Sequence, residues 1–218
     1  MTTPIKATII ATAVLVVLVV VAIVVATVTR PSAPDSAAED GSLPGTRANT
    51  HVFDKVGQDV PTLVEFLDFE CEACGAFYPV IEQLRETYKG KINYAIRYFP
   101  IPSHFNSTNA ALAVEAAAKQ GRAEDMYNKM YKTQTQWSEQ QESKADVFRG
   151  FAEDLGLDMK SYDQAVADPA TKKRVEQDYA EGQAMGVQGT PTFFLDGKKL
   201  TLTSLSDLTD ALDRAIAD

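Results

Sequence analysis

The chain has 218 residues, enough for one ordinary domain with an appendage or at most two small domains. With 45% apolar, 23% charged and 9% aromatic residues it sits near globular averages, which excludes a wholly disordered, collagen-like or many-span membrane chain. Lys6 and Arg30 take two of the 21 Lys and Arg, leaving 19 against all 30 Asp and Glu, an acidic balance that argues against a nucleic-acid binder.

From Ala7 to Val28 no charged side chain interrupts ATIIATAVLVVLVVVAIVVATV. At about 1.5 Å per residue this run makes roughly 33 Å of helix, enough for a hydrocarbon core of about 30 Å. A cleaved signal peptide has a shorter apolar region that ends at a small-residue site, and here the nearest such cluster, Ser36-Ala37-Ala38, lies well past the run. An uncleaved transmembrane anchor over residues 7–28 is expected, with residues 1–6 cytoplasmic and the C-terminal part extracytoplasmic on a single-pass cell-membrane protein. Disulfides persist in that compartment. Residues 29–50, rich in Pro, Gly, Ser and Ala and without apolar periodicity, read as a flexible linker.

Thr62 to Asp68, TLVEFLD, reads as a strand running through CEAC into the helix-like GAFYPVIEQLRETYKG. Phe77, Ile81, Leu84 and Tyr88 form its apolar stripe, Pro79 is expected to kink it and Gly90 to end it. Lys91 to Phe99 alternates Ile92, Tyr94, Ile96 and Tyr98 on one face, a second strand. Asn106 to about Met185 is helical pattern with room for four or five helices, among them one capped by Asp168 before Pro169 and closed by Gly186. Met126, Tyr127, Met130, Tyr131 and Trp137 within it read as packing residues. Thr192 to Leu195, the turn Asp196-Gly197 and Lys198 to Leu202 make a hairpin, and a last helix carries Leu205, Leu208, Leu212 and Ile216 inward. The sum is an α/β sandwich with an inserted helical block.

The two cysteines form one C-x-x-C, Cys71 and Cys74, where the first strand meets its helix. As a structural staple the pair is weak, because closing so short a loop removes little chain entropy. A zinc site needs four ligands, and the other candidates, His51 and His104, are isolated in loop-like sequence; His104 reads as a loop or capping histidine. The position favours a redox dithiol. A thiol at a helix amino end meets bare backbone N–H groups and the positive end of the macrodipole, which stabilise its thiolate. Its partner three residues on lies within one turn. Cys71 is expected to be the exposed nucleophile and Cys74 the more buried resolving thiol.

VEFLDFECEACGAFYP, then RYFPIPSH and later GTPTFFLDG, resemble the DsbA-like branch of thioredoxin-fold thiol–disulfide oxidoreductases, over about residues 50–217. The resemblance implies a thioredoxin fold over residues 51–218 with a helical insertion at about 105–186. It matches Glu65 to the family's buried acid, which exchanges protons with the resolving cysteine, although alternation with Val64 and Phe66 allows Glu65 to face either way. It also matches Pro191 to the family's cis-proline and Thr190 to the residue that offers its backbone to an extended substrate. The sequence departs from the strongest oxidants of that branch between the cysteines, where Glu72-Ala73 replaces Pro-His. No Lys, Arg or His lies between Pro61 and Tyr78, while Glu65, Asp68, Glu70 and Glu72 are acidic. These carboxylates are expected to hold the Cys71 pKa above that of the extreme DsbA-type oxidants, though still below that of free cysteine.

The expected function is extracytoplasmic disulfide formation in exported, incompletely folded proteins that carry free thiols. The resemblance further implies a quinone-linked membrane reoxidase as partner and calls for no metal or organic cofactor. A reductase or isomerase on the same site, and a non-catalytic binding module, are the competing readings.

Overall fold

The computed structural model describes residues 42–217. The expected transmembrane segment at 7–28, the cytoplasmic residues 1–6 and most of the linker lie outside the described residues, among which no helix is long and apolar enough to cross a membrane.

Strand β1 (His51–Asp54) is followed by β2 (Thr62–Leu67), α1 (Glu72–Thr87) and β3 (Asn93–Tyr98). Next come the helices α2 (Ser107–Ala118), α3 (Ala123–Lys132), α4 (Ala145–Asp154), α5 (Met159–Ala167) and α6 (Pro169–Ala184), with a 3-10 turn at Gln134–Gln136. The chain closes with β4 (Thr192–Leu195), β5 (Lys198–Lys199) and α7 (Leu205–Ala217). The sheet order is β1-β3-β2-β4-β5. Strands β2 and β3 are parallel, joined through α1, while β1 and β4 pair antiparallel on either side of them.

Every residue of β2 and of β3 is buried, because helices cover both faces of these central strands. Leu63, Leu67, Tyr94, Ile96 and Tyr98 join the larger core with Ile81 and Leu84 of α1 and Leu208 and Leu212 of α7. Val64, Phe66, Ala95 and Phe99 face the other way and pack with Val187, Phe194, Tyr179 and Met185. Helix α2 has buried alanines on most sides, Ala110, Ala111, Ala113, Ala116 and Ala117, because it runs through the middle of the inserted block. Met126, Tyr127, Met130, Tyr131 and Trp137 are all buried, in keeping with a packing role. Pro79 sits inside α1 without ending it, and Gly90 takes a φ of 73° just past the helix.

Four expectations need correction. Strand β1 stands ahead of the first predicted strand; with only four half-buried residues and a bulge between Val52 and Asp54, it lacks a readable alternation. Residues 42–50 are not free linker. Leu43 is buried, and the Arg47 guanidinium reaches Asp178 of α6 at 2.6 Å. Asp178 also binds Arg97 of β3 at 2.8 Å and Arg174, so three cations hold its carboxyl below the usual range although burial opposes ionisation. Strand β5 is only two residues long rather than extending to Leu202. In α7, Leu205 and Ile216 are exposed, because the buried stripe is limited to Leu208, Ala211 and Leu212.

Gly182 lets α6 lie directly on the sheet, since a Cβ there would stand 2.8 Å from Phe99 and 2.9 Å from Phe66. Both rings are buried and cannot swing out. The expected cost of Gly182→Ala is about 1–3 kcal/mol of overpacking, read as a lower urea midpoint with an unchanged slope.

Candidate functional site

Cys71 is the amino-cap residue of α1, with extended backbone (φ −67°, ψ 121°), and no side chain hydrogen-bonds there in the manner of the usual Ser or Asp cap. Its N–H donates to Asp68 O at 3.2 Å, and its carbonyl accepts the Gly75 N–H at 3.0 Å. The sulfur therefore stands where a capping oxygen would, before the first-turn amides of Ala73 and Cys74. The Cys71 pKa falls to about 5. The chief cause is the hydrogen bond from the Cys74 thiol; the Thr190 side chain and the two backbone amides add to it, and burial opposes it. Cys74 is displaced the opposite way, well above the ordinary thiol value, by burial, by its bond to Cys71 and by the charge on Glu65.

Both sulfurs are reduced and covered, Cys71 with 8% of its surface exposed and Cys74 with 1%. The expected openly exposed nucleophile is thus mostly screened, although it remains the more accessible of the two. The screen includes the Thr190-Pro191 turn. This peptide bond is cis, and the Thr190 carbonyl lies 3.4 Å from the Cys71 sulfur. Thr190 and Pro191 are brought to the dithiol across more than a hundred residues of sequence.

Glu65 faces the larger core, on the side of α1, and the Tyr94 hydroxyl of β3 donates to its Oε2 at 2.5 Å. Burial pushes the Glu65 pKa up to about 7, helped by Glu82 and opposed by the Tyr94 bond. A carboxyl poised there can hold a proton or release one at neutral pH. The structure brings all five expected residues, Cys71, Cys74, Glu65, Thr190 and Pro191, to this end of the sheet.

The acidic neighbours do not act on Cys71 as expected. Asp68 is buried and accepts the Glu70 N–H at 2.9 Å, the Ile101 N–H at 3.0 Å, the His104 Nδ1 at 2.7 Å and the Ser107 hydroxyl at 2.5 Å. Glu70 Oε2 accepts the Asn106 N–H at 2.5 Å. Their charge is absorbed by the loop into α2, so the fall in the Cys71 pKa is governed by sulfur and amide contacts. The value of about 5 lies between free cysteine and the extreme near 3.5. Burial opposes protonation of His104, yet its bond to Asp68 outweighs this and raises its pKa, with the Cys71 charge contributing.

Gln134 is a site residue that sequence reading missed. Its side-chain amide donates at 2.8 Å to both Phe69 O and Cys71 O, tying the inserted block to the backbone that carries the cysteine. It fits only because residue 75 is glycine: a Cβ there would stand 1.8 Å from Gln134 Oε1. A Gly inside the first turn of a good helix is the signal that sequence offered. A cleft of about 230 Å³ opens beside these residues, lined in part by Glu70, Glu72, His104, Phe105 and Glu139.

A parallel strand pair with a dithiol at the helix mouth and a cis-proline turn against the leading sulfur defines the thioredoxin-like class of α/β domain. The thioredoxin family model matches residues 59–214, and the chain belongs to that family. Solved neighbours are DsbA-like thiol–disulfide oxidoreductases. Alpha-DsbA1 from Wolbachia pipientis superposes with a TM-score of 0.67 at 18% identity, covering 79% of this chain and 93% of that one. A thioredoxin-like oxidoreductase from Silicibacter pomeroyi DSS-3 superposes with a TM-score of 0.65 at 25% identity, covering 79% and 95%. Among curated relatives, the Na(+)/H(+) antiporter NhaA 1 of Mycobacterium sp. (strain KMS) is 35% identical over 147 residues, 65% of this chain but 23% of that protein. The chain thus spans about a quarter of the length of the curated relatives it matches.

Two outcomes are expected here. Thiolate absorbance of the reduced protein titrates for Cys71 with a midpoint at about 5, while Cys74 stays protonated through neutral pH. Because the folded pKa is depressed, the gain for the reduced form is complete above the unfolded thiol pKa of about 8.5 and is lost as pH falls through about 5. Gln134→Ala removes two hydrogen bonds from buried carbonyls and lowers stability by about 1–3 kcal/mol, measured by denaturant unfolding.

Proposed function

We propose that this chain is an extracytoplasmic thiol–disulfide oxidoreductase that introduces disulfide bonds into exported proteins. The observation that carries the reading is the placement of two sulfurs one turn apart, Cys71 at the amino cap of α1 against the Thr190 carbonyl and Cys74 buried behind it, with pKa values displaced in opposite directions. A stable Cys71 thiolate favours the reduced form of the enzyme, and so makes its disulfide oxidising. At pH 7 a pKa of about 5 corresponds to roughly 3 kcal/mol relative to an ordinary thiol, or on the order of 60 mV for a two-electron couple.

A substrate thiolate attacks the Cys71 sulfur of the oxidised enzyme and forms a mixed disulfide. The Cys71–Cys74 bond breaks and its electron pair goes to Cys74, which takes a proton from the Glu65 carboxyl. A second substrate thiolate then attacks the substrate sulfur of the mixed disulfide, releasing Cys71 as thiolate, which accepts the Cys74 S–H hydrogen bond. The net result is one substrate disulfide formed and one enzyme disulfide reduced. The cis turn at Thr190-Pro191 offers its backbone to an extended peptide beside Cys71. A membrane partner that passes electrons to quinone reoxidises the dithiol. The charge-free run at 7–28 supports a single-pass cell-membrane location that keeps the two partners in one plane.

In cells, Cys74→Ala is expected to accumulate mixed disulfides between Cys71 and exported proteins, and Cys71→Ala none. A reduction potential for Cys71/Cys74 more positive than about −200 mV is expected of an oxidant, whereas a value near the −270 mV of thioredoxin overturns that direction in favour of a reductase. Absence of any trapped species overturns catalysis in favour of a binding module.

A further inference from the structure

The carboxyl of Glu65 is almost wholly buried, and the group that meets it from the neighbouring strand is a phenol. Glu65 is 2% exposed, and Tyr94 Oη donates to its Oε2 at 2.5 Å. The parallel register of β2 and β3 sets Leu63 opposite Tyr94, so the tyrosine ring shares a sheet face with Glu65. From α1 the same space is faced by Cys74 and Glu82, and from α3 by Tyr127 and Tyr131. Strand β4 pairs Phe193 with Glu65 and brings no charge. The cation of this neighbourhood, Arg85, pairs with Asp54 at 2.6 Å, Glu82 at 2.9 Å and Glu124 at 2.6 Å. Its guanidinium lies 5.1 Å from the centre of the Tyr94 ring. Arg85 thus lies against the Tyr94 ring rather than on the Glu65 carboxyl, which accepts its hydrogen bond from the Tyr94 hydroxyl.

We propose that Tyr94 is a positioning residue: its hydroxyl holds the carboxylate form of Glu65 and so sets the pH range in which Glu65 trades a proton with Cys74. The inference rests on the proton-donor role proposed above for Glu65. Burial keeps the Tyr94 hydroxyl protonated at any working pH, so it acts as a fixed donor and never competes for the charge. When Cys74 leaves the broken S–S bond with the electron pair and the Glu65 proton, the carboxylate left behind keeps the phenol bond. In the reverse step Glu65 takes the proton back as the Cys74 sulfur attacks. A donor that bonds the ionised form more strongly than the neutral form moves the exchange to lower pH, and removing it moves the exchange up.

The test is the rate at which the oxidised full chain is reduced by dithiothreitol, corrected for the thiolate fraction of the reagent, across about pH 5 to 9. The wild-type rate is expected to fall as Glu65 loses its proton near pH 7. That limb disappears in Glu65→Gln. In Tyr94→Phe it moves upward by about one pH unit, a tenfold higher rate on the falling side. Site-specific replacement of Tyr94 by 3-fluorotyrosine keeps the shape, makes the hydroxyl a stronger donor and moves the limb down, so the proposal stays testable if the Phe variant misfolds. A limb that stays in place, or moves the same way in both variants, overturns the role of Tyr94. A limb that survives Glu65→Gln overturns the Glu65 assignment itself and the proposal with it.

Discussion

The unequal surroundings of two sulfurs organise the site. Cys71 is the amino-cap residue of α1 and its pKa falls, while Cys74 is buried one turn behind it and its pKa rises. Cys71 meets the first-turn amides of α1, where charge is welcome, while Cys74 lies a turn deeper among apolar side chains, where charge is costly. The strand-to-helix junction creates this inequality, since one residue caps the helix and the other is inside it. The charge of the buried Glu65 on β2 adds to the same inequality by raising Cys74 further.

The inserted helices brace this arrangement rather than merely hang from it. Gln134 reaches out of the insertion to hold two carbonyls around Cys71. Ser107, at the first residue of α2, and His104, just before it, occupy the carboxylate of Asp68. Tyr127 and Tyr131 of α3 are buried and lie within electrostatic reach of Glu65. An acidic composition around the dithiol is compatible with a low thiol pKa because Asp68 and Glu70 already accept hydrogen bonds from the loop into α2.

Much of this was legible in the sequence because it is local. The strand running into C-x-x-C, the helix stripe ending at Gly90, the Asp168-Pro169 cap and the Asp196-Gly197 turn, with both residues at positive φ, follow from rules that act within a few residues. The orientation of Glu65 was not legible, since both faces of a strand covered on two sides are apolar, and alternation then carries no sign. Nor was the fate of Asp68, whose partners come from a loop more than thirty residues away. The same holds for Gln134, whose role depends on a glycine that in sequence looks only like a weak helix residue. The repulsion that carboxylates exert on Cys71 depends on which donors they already hold, and those donors come from the loop into α2.

The Asp178 cluster bears on where the folded unit starts. Three guanidiniums, from Arg47, Arg97 and Arg174, converge on one fully buried carboxylate. Arg47 comes from the segment ahead of β1, Arg97 from the middle of the sheet and Arg174 from the last helix of the insertion. The entering chain is therefore clasped to the back of the sheet, on the far side from the face that carries Glu65. A pull on that segment meets first the Asp178 cluster, which joins it to α6 and β3 ahead of β1.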